Sequence, residues 1–368
     1  MNWRTIGGGV VAALAITLAS ATGAGAAPVQ PSAGPFPCPQ NIPVPFPTPK
    51  GQLVVPIDRS TSTVINPGQF PQIGCGGVAL RAVNNVTYVT RTLSNGQQLP
   101  LRLDLTIPTS PGPKPLLVYI PGGGFVAGPK DQAVATRTYL AEAGFVVASV
   151  EYRTALNAGS RYFDGFADIR TAIKFLKANA AQYSINPNKV AATGQSSGAY
   201  MANLIGTAGP NDIAAGDGPG SARVQAVVDF FGGSDISKIL ADFDPTTQSA
   251  IAGPENPFAW YINGQGSGKS LADAPDEVRK ANPVTYVSGD DPPFIHFHGM
   301  EDRTISPSQT LLIHNALRAG GVASTRYLVQ GAGHGDIEQP FYPWLALPWT
   351  TPLVLNTTAD FLHARLGN

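Results

Sequence analysis

Thr193-Gly194-Gln195-Ser196-Ser197-Gly198-Ala199-Tyr200 is the stretch on which the reading of this 368-residue chain turns. Lys189-Val190-Ala191-Ala192 before it reads as a short buried strand, and Ala199 to Thr207 after it as the start of a helix. Gly194, Ser196 and Gly198 therefore spell G-x-S-x-G at a strand-to-helix turn, the setting of a nucleophile elbow. Glycines are needed there because the backbone bends sharply and packs closely on both sides of the serine, where a Cβ would clash. The bare pattern also arises by chance in Gly/Ser-rich loops. The flanking strand and helix favour the elbow.

Working outward, buried strands alternate with helices. Leu116 to Ile120, Phe145 to Val150, Val190 to Thr193, Val224 to Phe231, Phe294 to His298 and Thr325 to Val329 read as strands. Gln132 to Ala143, Phe163 to Ala181 and Ser308 to Arg318 read as helices between them. Before this rhythm begins, Val86–Leu93 and Leu99–Ile107 alternate apolar and polar residues around Ser94-Asn95-Gly96, a β-hairpin signal. An antiparallel start followed by βα units predicts an α/β fold, with a mostly parallel central sheet covered by helices on both faces. Residues 232–290 break the pattern with Gly, Pro, Asn and aromatic residues. An insertion that long, ahead of the Phe294–His298 strand, is expected to lie beside the site as a lid or side wall.

A serine hydroxyl becomes a nucleophile only when a base takes its proton and an acid orients that base. His334, in Gly331-Ala332-Gly333-His334-Gly335, follows the last strand, where a loop can deliver its imidazole. Asp302 lies on the loop after the Phe294–His298 strand, with Asp235 the runner-up and Glu301 and Asp336 weaker candidates. The order Ser196, Asp302, His334 is that of the strand-to-helix elbow hydrolases. Pro121-Gly122-Gly123-Gly124-Phe125 follows another buried strand. Backbone N–H groups of Gly122 and Gly123, with that of Ser197, would form an oxyanion hole. A phosphate cradle is the rival reading of the glycines, but no Lys-Ser/Thr follows as a P-loop needs. His296 and His298 face the same side of a strand without a third ligand at usual spacing, so neither metal nor organic cofactor is expected. His314 and His363 read as ordinary surface or packing residues.

Length and composition set the frame. With 43% hydrophobic residues the chain can bury a large core, and its formal net charge of zero gives no reason to expect nucleic acid or an anionic membrane as partner. Residues 1–26 resemble a secretory signal, with Arg4, the apolar run Val10 to Ala19 and the small-residue site Ala24-Gly25-Ala26. That run is too short for a comfortable membrane span, so a secreted or cell-envelope protein without stable membrane insertion is expected. Residues 27–77 form a proline-rich extension containing both cysteines, Cys38 and Cys75. In an oxidising compartment the economical reading is one disulfide, and the extension is then an arm laid on a domain spanning 78–368.

From about Leu101 to His334 the chain resembles the bacterial esterase/lipase branch of the α/β-hydrolases, near the hormone-sensitive-lipase-like and feruloyl/acetyl-xylan-esterase-like (BD-FAE-like) groups. The resemblance is carried by Pro121–Phe125, Val150-Glu151-Tyr152-Arg153, the Gly194–Gly198 elbow, Asp291-Pro292-Pro293-Phe294 leading to His298-Gly299, Asp302, and Gly333-His334-Gly335. It implies Ser196 as nucleophile, Asp302 as acid, His334 as base and Gly122, Gly123 and Ser197 as amide donors. Arg153 and Asp168 would be structural. It also implies short-chain or aromatic acyl esters, free or polysaccharide-linked, as substrates. The family pattern has histidine where this chain has Pro121, and proline offers neither a side-chain brace nor an N–H. A peptidase or amidase of the same fold, anchoring a substrate amine on Glu151, and a non-catalytic binding protein on this scaffold are the rival functions.

Overall fold

The computed structural model describes residues 36–39, 50–209, 212–213, 220–338 and 341–367. The signal-like residues 1–26 and the proline run 40–49 lie outside the described residues. The described residues form eleven strands: β1 (Phe36–Pro37), β2 (Thr63–Ile65), β3 (Gly74–Cys75), β4 (Leu80–Thr92), β5 (Gln98–Pro108), β6 (Lys114–Ile120), β7 (Val146–Val150), β8 (Ile185–Gln195), β9 (Ala226–Phe230), β10 (Phe294–Gly299) and β11 (Ser324–Val329). Nine of them make one sheet in the order β2-β11-β10-β9-β8-β6-β7-β5-β4. The hairpin β4–β5 and the β5–β7 pair are antiparallel, and every other neighbour is parallel. This is the α/β-hydrolase sheet.

Central strands are buried along their whole length because helices cover both faces. All residues of β6, β7, β9 and β10 are buried. The helices Tyr162–Ala178 and Ser197–Thr207 contribute to the core on one face. Val134–Glu142 and Pro352–Leu366 cover the other. No helix among the described residues is long and apolar enough to cross a membrane.

The N-terminal side departs from the boundary expected at residue 78. Cys38 and Cys75 are joined by a disulfide, and β1 pairs with β3 beside it. Thr63–Ile65 adds to β11 in parallel, with Val64 opposite Leu328, so the sheet already begins within the extension. Lys50 forms an ion pair with the buried carboxylate of Glu338, and the Gly51 N–H donates to the Arg303 carbonyl at 2.9 Å. Three apolar or β-branched residues among prolines carry too little periodicity to announce a strand. Only the partner β11 supplies the ladder.

A buried polar chain ties this edge together. The His314 Nε2–H donates to the Thr61 carbonyl at 3.0 Å, which leaves Nδ1 to accept the Ser324 hydroxyl at 2.8 Å. Ser324 Oγ also lies 3.2 Å from His296 Nε2, and His296 Nδ1 lies 2.8 Å from Asp229 Oδ2. Burial, then nearby His296, lowers the pKa of His314 to about 4. Unfolded, it would titrate near 6.5. The folded state therefore holds fewer protons between these values. Stability from the neutral ring is complete above about pH 6.5 and is lost as pH falls toward 4, by at most ~3 kcal/mol. Thermal melts at pH 7 and pH 4.5 should show a smaller acid-induced drop in Tm for His314→Gln than for the wild type. Parallel drops would remove His314 from the account.

Candidate active site

β8 ends at Gln195, and Ser196 stands between it and the helix Ser197–Thr207. Its backbone is held at φ 54°, ψ −124°, a conformation that side-chain-bearing residues rarely adopt. Its amide donates to the Phe230 carbonyl at 3.0 Å, and its carbonyl accepts the Tyr200 N–H at 3.0 Å. A Cβ on Gly194 or Gly198 would overlap backbone: Gly198 itself in the first case, the Ile120 carbonyl in the second. The turn closes only because both positions lack one.

The loop after β11 brings His334 over the serine. His334 Nε2 is 2.8 Å from Ser196 Oγ, and Nδ1 is 2.6 Å from Asp302 Oδ2. A carboxylate only accepts, so Nδ1 carries the proton and Nε2 is free to accept from the serine. The ring packs against Phe231 at 4.8 Å between centroids and is nearly fully buried. Below it, the Trp349 indole N–H donates to the Gly333 carbonyl at 3.1 Å. Asp302, on the loop after β10, is completely buried. Its other oxygen accepts the N–H groups of Thr304 and Ile305 at 2.8 and 3.0 Å. Burial alone would raise its pKa, but the adjacent His334 and His298 outweigh that and hold the carboxyl well below the usual range. His298 Nε2 lies 3.4 Å from Asp302 Oδ2.

The other candidates lie elsewhere. Asp235 is occupied by the Ser237 N–H and hydroxyl and by the Asn282 amide, so it does not orient His334. Glu151 accepts the Arg102 N–H at 2.9 Å and does not line the cavity, leaving the amine-anchor idea without its residue. Arg153 and Asp168 pair at 2.7 Å, with Arg91 joining at 2.8 Å, beneath the hairpin. His296 belongs to the buried chain described above, and no cluster of metal-ligating residues occurs among the described residues.

Pro121–Gly124 runs directly over the serine, since a Cβ on Gly122 would lie 3.4 Å from that of Ser196 and 2.6 Å from the Gln195 carbonyl. The cavity around Ser196 has a volume of about 260 Å³. Ile239, Leu240, Ile251 and Phe258, all from residues 232–290, form one apolar wall, and Phe231 and Ile305 continue it. That wall is docked on the sheet side. The Tyr261 ring stacks on Phe125 at 4.9 Å, and the Tyr200 hydroxyl donates to the Ala281 carbonyl at 2.7 Å. Among the described residues, the carboxylates on the lining are Glu255 and Asp336. Sequence pattern alone did not single out Gln132, which lines the cavity 10 positions beyond Gly122 and donates to its carbonyl.

Comparison with known proteins finds relatives that are named as esterases. The BD-FAE family model matches residues 103–317. Esterase LipC of Mycobacterium tuberculosis is 31% identical over 62% of this chain and 54% of its own length. A probable isoprenylcysteine alpha-carbonyl methylesterase, ICMEL1 of Arabidopsis thaliana, is 27% identical over 68% of this chain and 52% of its own. The chain thus spans about half the length of these curated relatives. Among solved structures, a truncated carbohydrate esterase from gut microbiota aligns with a TM-score of 0.66 at 23% identity, covering 79% of this chain and 98% of that one. At that identity the likeness is one of fold.

Proposed function

The chain belongs to the BD-FAE family, and from that membership we propose that it is a serine carboxylic-ester hydrolase working through Ser196, His334 and Asp302. The observation that carries the proposal is the unbroken contact from Ser196 Oγ to His334 Nε2 and from Nδ1 to Asp302 Oδ2. In this reading His334 takes the hydroxyl proton as Ser196 attacks the ester carbonyl. Asp302 stabilises the imidazolium, and amides of Gly122, Gly123 and Ser197 receive the oxyanion. His334 then protonates the leaving alcohol. An acyl-serine remains, which water hydrolyses with His334 again as base.

The small apolar cavity suits a short acyl chain or a single aromatic ring better than a long lipid tail. The esterase names of the relatives support ester over amide. Export is part of the proposal, supported by the signal-like pattern at 1–26 and by the Cys38–Cys75 disulfide. The deciding experiment is a rate panel of p-nitrophenyl acetate, butyrate and decanoate, methyl ferulate and an aminoacyl anilide. Fastest turnover on the acetate, the butyrate or methyl ferulate is expected. No turnover of any ester by folded protein, or a preference for the anilide, would overturn the reading.

A further inference from the structure

A trans peptide group points its N–H away from its C=O, so whatever holds a carbonyl also aims the amide of the next residue. No cis peptide occurs among the described residues. The Tyr152 hydroxyl donates to the Pro121 carbonyl at 2.9 Å, fixing the peptide whose N–H belongs to Gly122. Gln132 Nε2 donates to the Gly122 carbonyl at 3.0 Å, fixing the peptide whose N–H belongs to Gly123. The Gly123 carbonyl in turn accepts the amides of Val126 and Ala127 at 3.1 and 3.2 Å. Three successive carbonyls of the glycine loop are thus pinned toward the protein. Neither Gly122 nor Gly123 donates its own N–H to another backbone group among the described residues.

We propose that Tyr152 and Gln132 are positioning residues that hold the Gly122 and Gly123 amides in the orientation the oxyanion requires. The device rests on the ester-hydrolase reading and replaces a brace at position 121, where proline has no hydrogen-bonding side chain. Both side chains are suited to it. Tyr152 is 1% exposed and Gln132 6% exposed, so neither donor is exchanged freely for water. Burial pushes the Tyr152 phenol pKa up, keeping it a proton donor at all working pH values. Gln132 is itself anchored, because its backbone carbonyl accepts Arg137 Nε at 2.7 Å. Phe125, at φ 66°, closes the loop and is clamped between Tyr261 and Tyr200. A preorganised donor accelerates the chemical step because it need not reorient as negative charge develops. Loss of its support should therefore appear in kcat rather than in substrate binding.

The experiment compares wild type, Tyr152→Phe, Gln132→Ala and Gln132→Glu on p-nitrophenyl acetate. Tyr152→Phe and Gln132→Ala should each lower kcat by about 10- to 100-fold with KM within about threefold. Gln132→Glu adds a readout that packing alone would not move. A protonated carboxylic acid can donate to the Gly122 carbonyl, whereas a carboxylate repels it. Its kcat, relative to Gln132→Ala at the same pH, should rise as pH falls. Single variants within twofold of wild-type kcat, or a Gln132→Glu profile parallel to Gln132→Ala, would overturn the proposal. An inactive wild type would instead overturn the ester-hydrolase reading on which it stands.

Discussion

Ser196→Ala should lower kcat on p-nitrophenyl acetate by about 10⁴- to 10⁶-fold, and His334→Ala should do nearly the same. The double variant should be little worse than either, because a nucleophile and its base act as one unit and their losses do not add. Residual turnover would come from the amide donors and the cavity. A second measurement separates the chemical role from the conformational one. Ser196 sits at φ 54°, ψ −124°, a state that costs a side-chain-bearing residue of the order of 1–3 kcal/mol. Ser196→Gly should be as inactive as Ser196→Ala but melt at a higher temperature, since glycine adopts that backbone freely. Activity of Ser196→Ala within tenfold of wild type would remove the serine from the mechanism. Equal melting of the two variants would show that the turn stores no strain.

The other large effect is expected two residues away. A Cβ on Gly198 would overlap the Ile120 carbonyl and lie 2.7 Å from that of Pro121. Both obstacles are backbone, with no flexible side chain to move aside. Gly198→Ala should push the helix Ser197–Thr207 off the end of β6, destabilising the protein by about 3 kcal/mol or more, the upper range for overpacking. The same displacement moves the Ser197 amide and the glycine loop apart, so activity in the folded fraction should fall as well. Gly253→Ala is the matched control, because nothing lies within 4 Å of its Cβ position and its φ lies outside the left-handed region. Denaturant melts of the two variants test this. A Gly198→Ala protein as stable as Gly253→Ala would refute the tight-elbow account.

The sequence made the middle of the sheet and the three proposed catalytic side chains legible for different reasons. Unbroken apolar runs such as Leu116–Ile120 mark strands buried on both faces, and each proposed catalytic residue was placed by its position after an expected strand. The fold brings Ser196, His334 and Asp302 within hydrogen-bonding distance, and leaves Asp235 attached to Asn282 instead. The helix ends shift by a few residues: Gln132 and Ala133 lie outside the helix Val134–Glu142, and Gln132 is turned to the glycine loop instead. What stayed hidden depends on partners remote in sequence. Tyr152 and Pro121 are 31 residues apart, and His314 and Thr61 are 253 apart. No local pattern carries such contacts. His314, read as an ordinary helix residue, is enclosed because an extension from far upstream crosses it.

The short pairing of Thr63–Ile65 with Tyr327–Val329 has a practical corollary for anyone trimming this protein. Starting the chain at residue 78, where the composition changes, would strip the outermost ladder and leave the amides and carbonyls of β11 as an open template. Unprotected rims of that kind recruit strands from other molecules. The shortened protein should therefore self-associate through the side of the sheet that leads into the His334 loop, and lose activity by clumping even though Ser196, Asp302 and His334 are all still present.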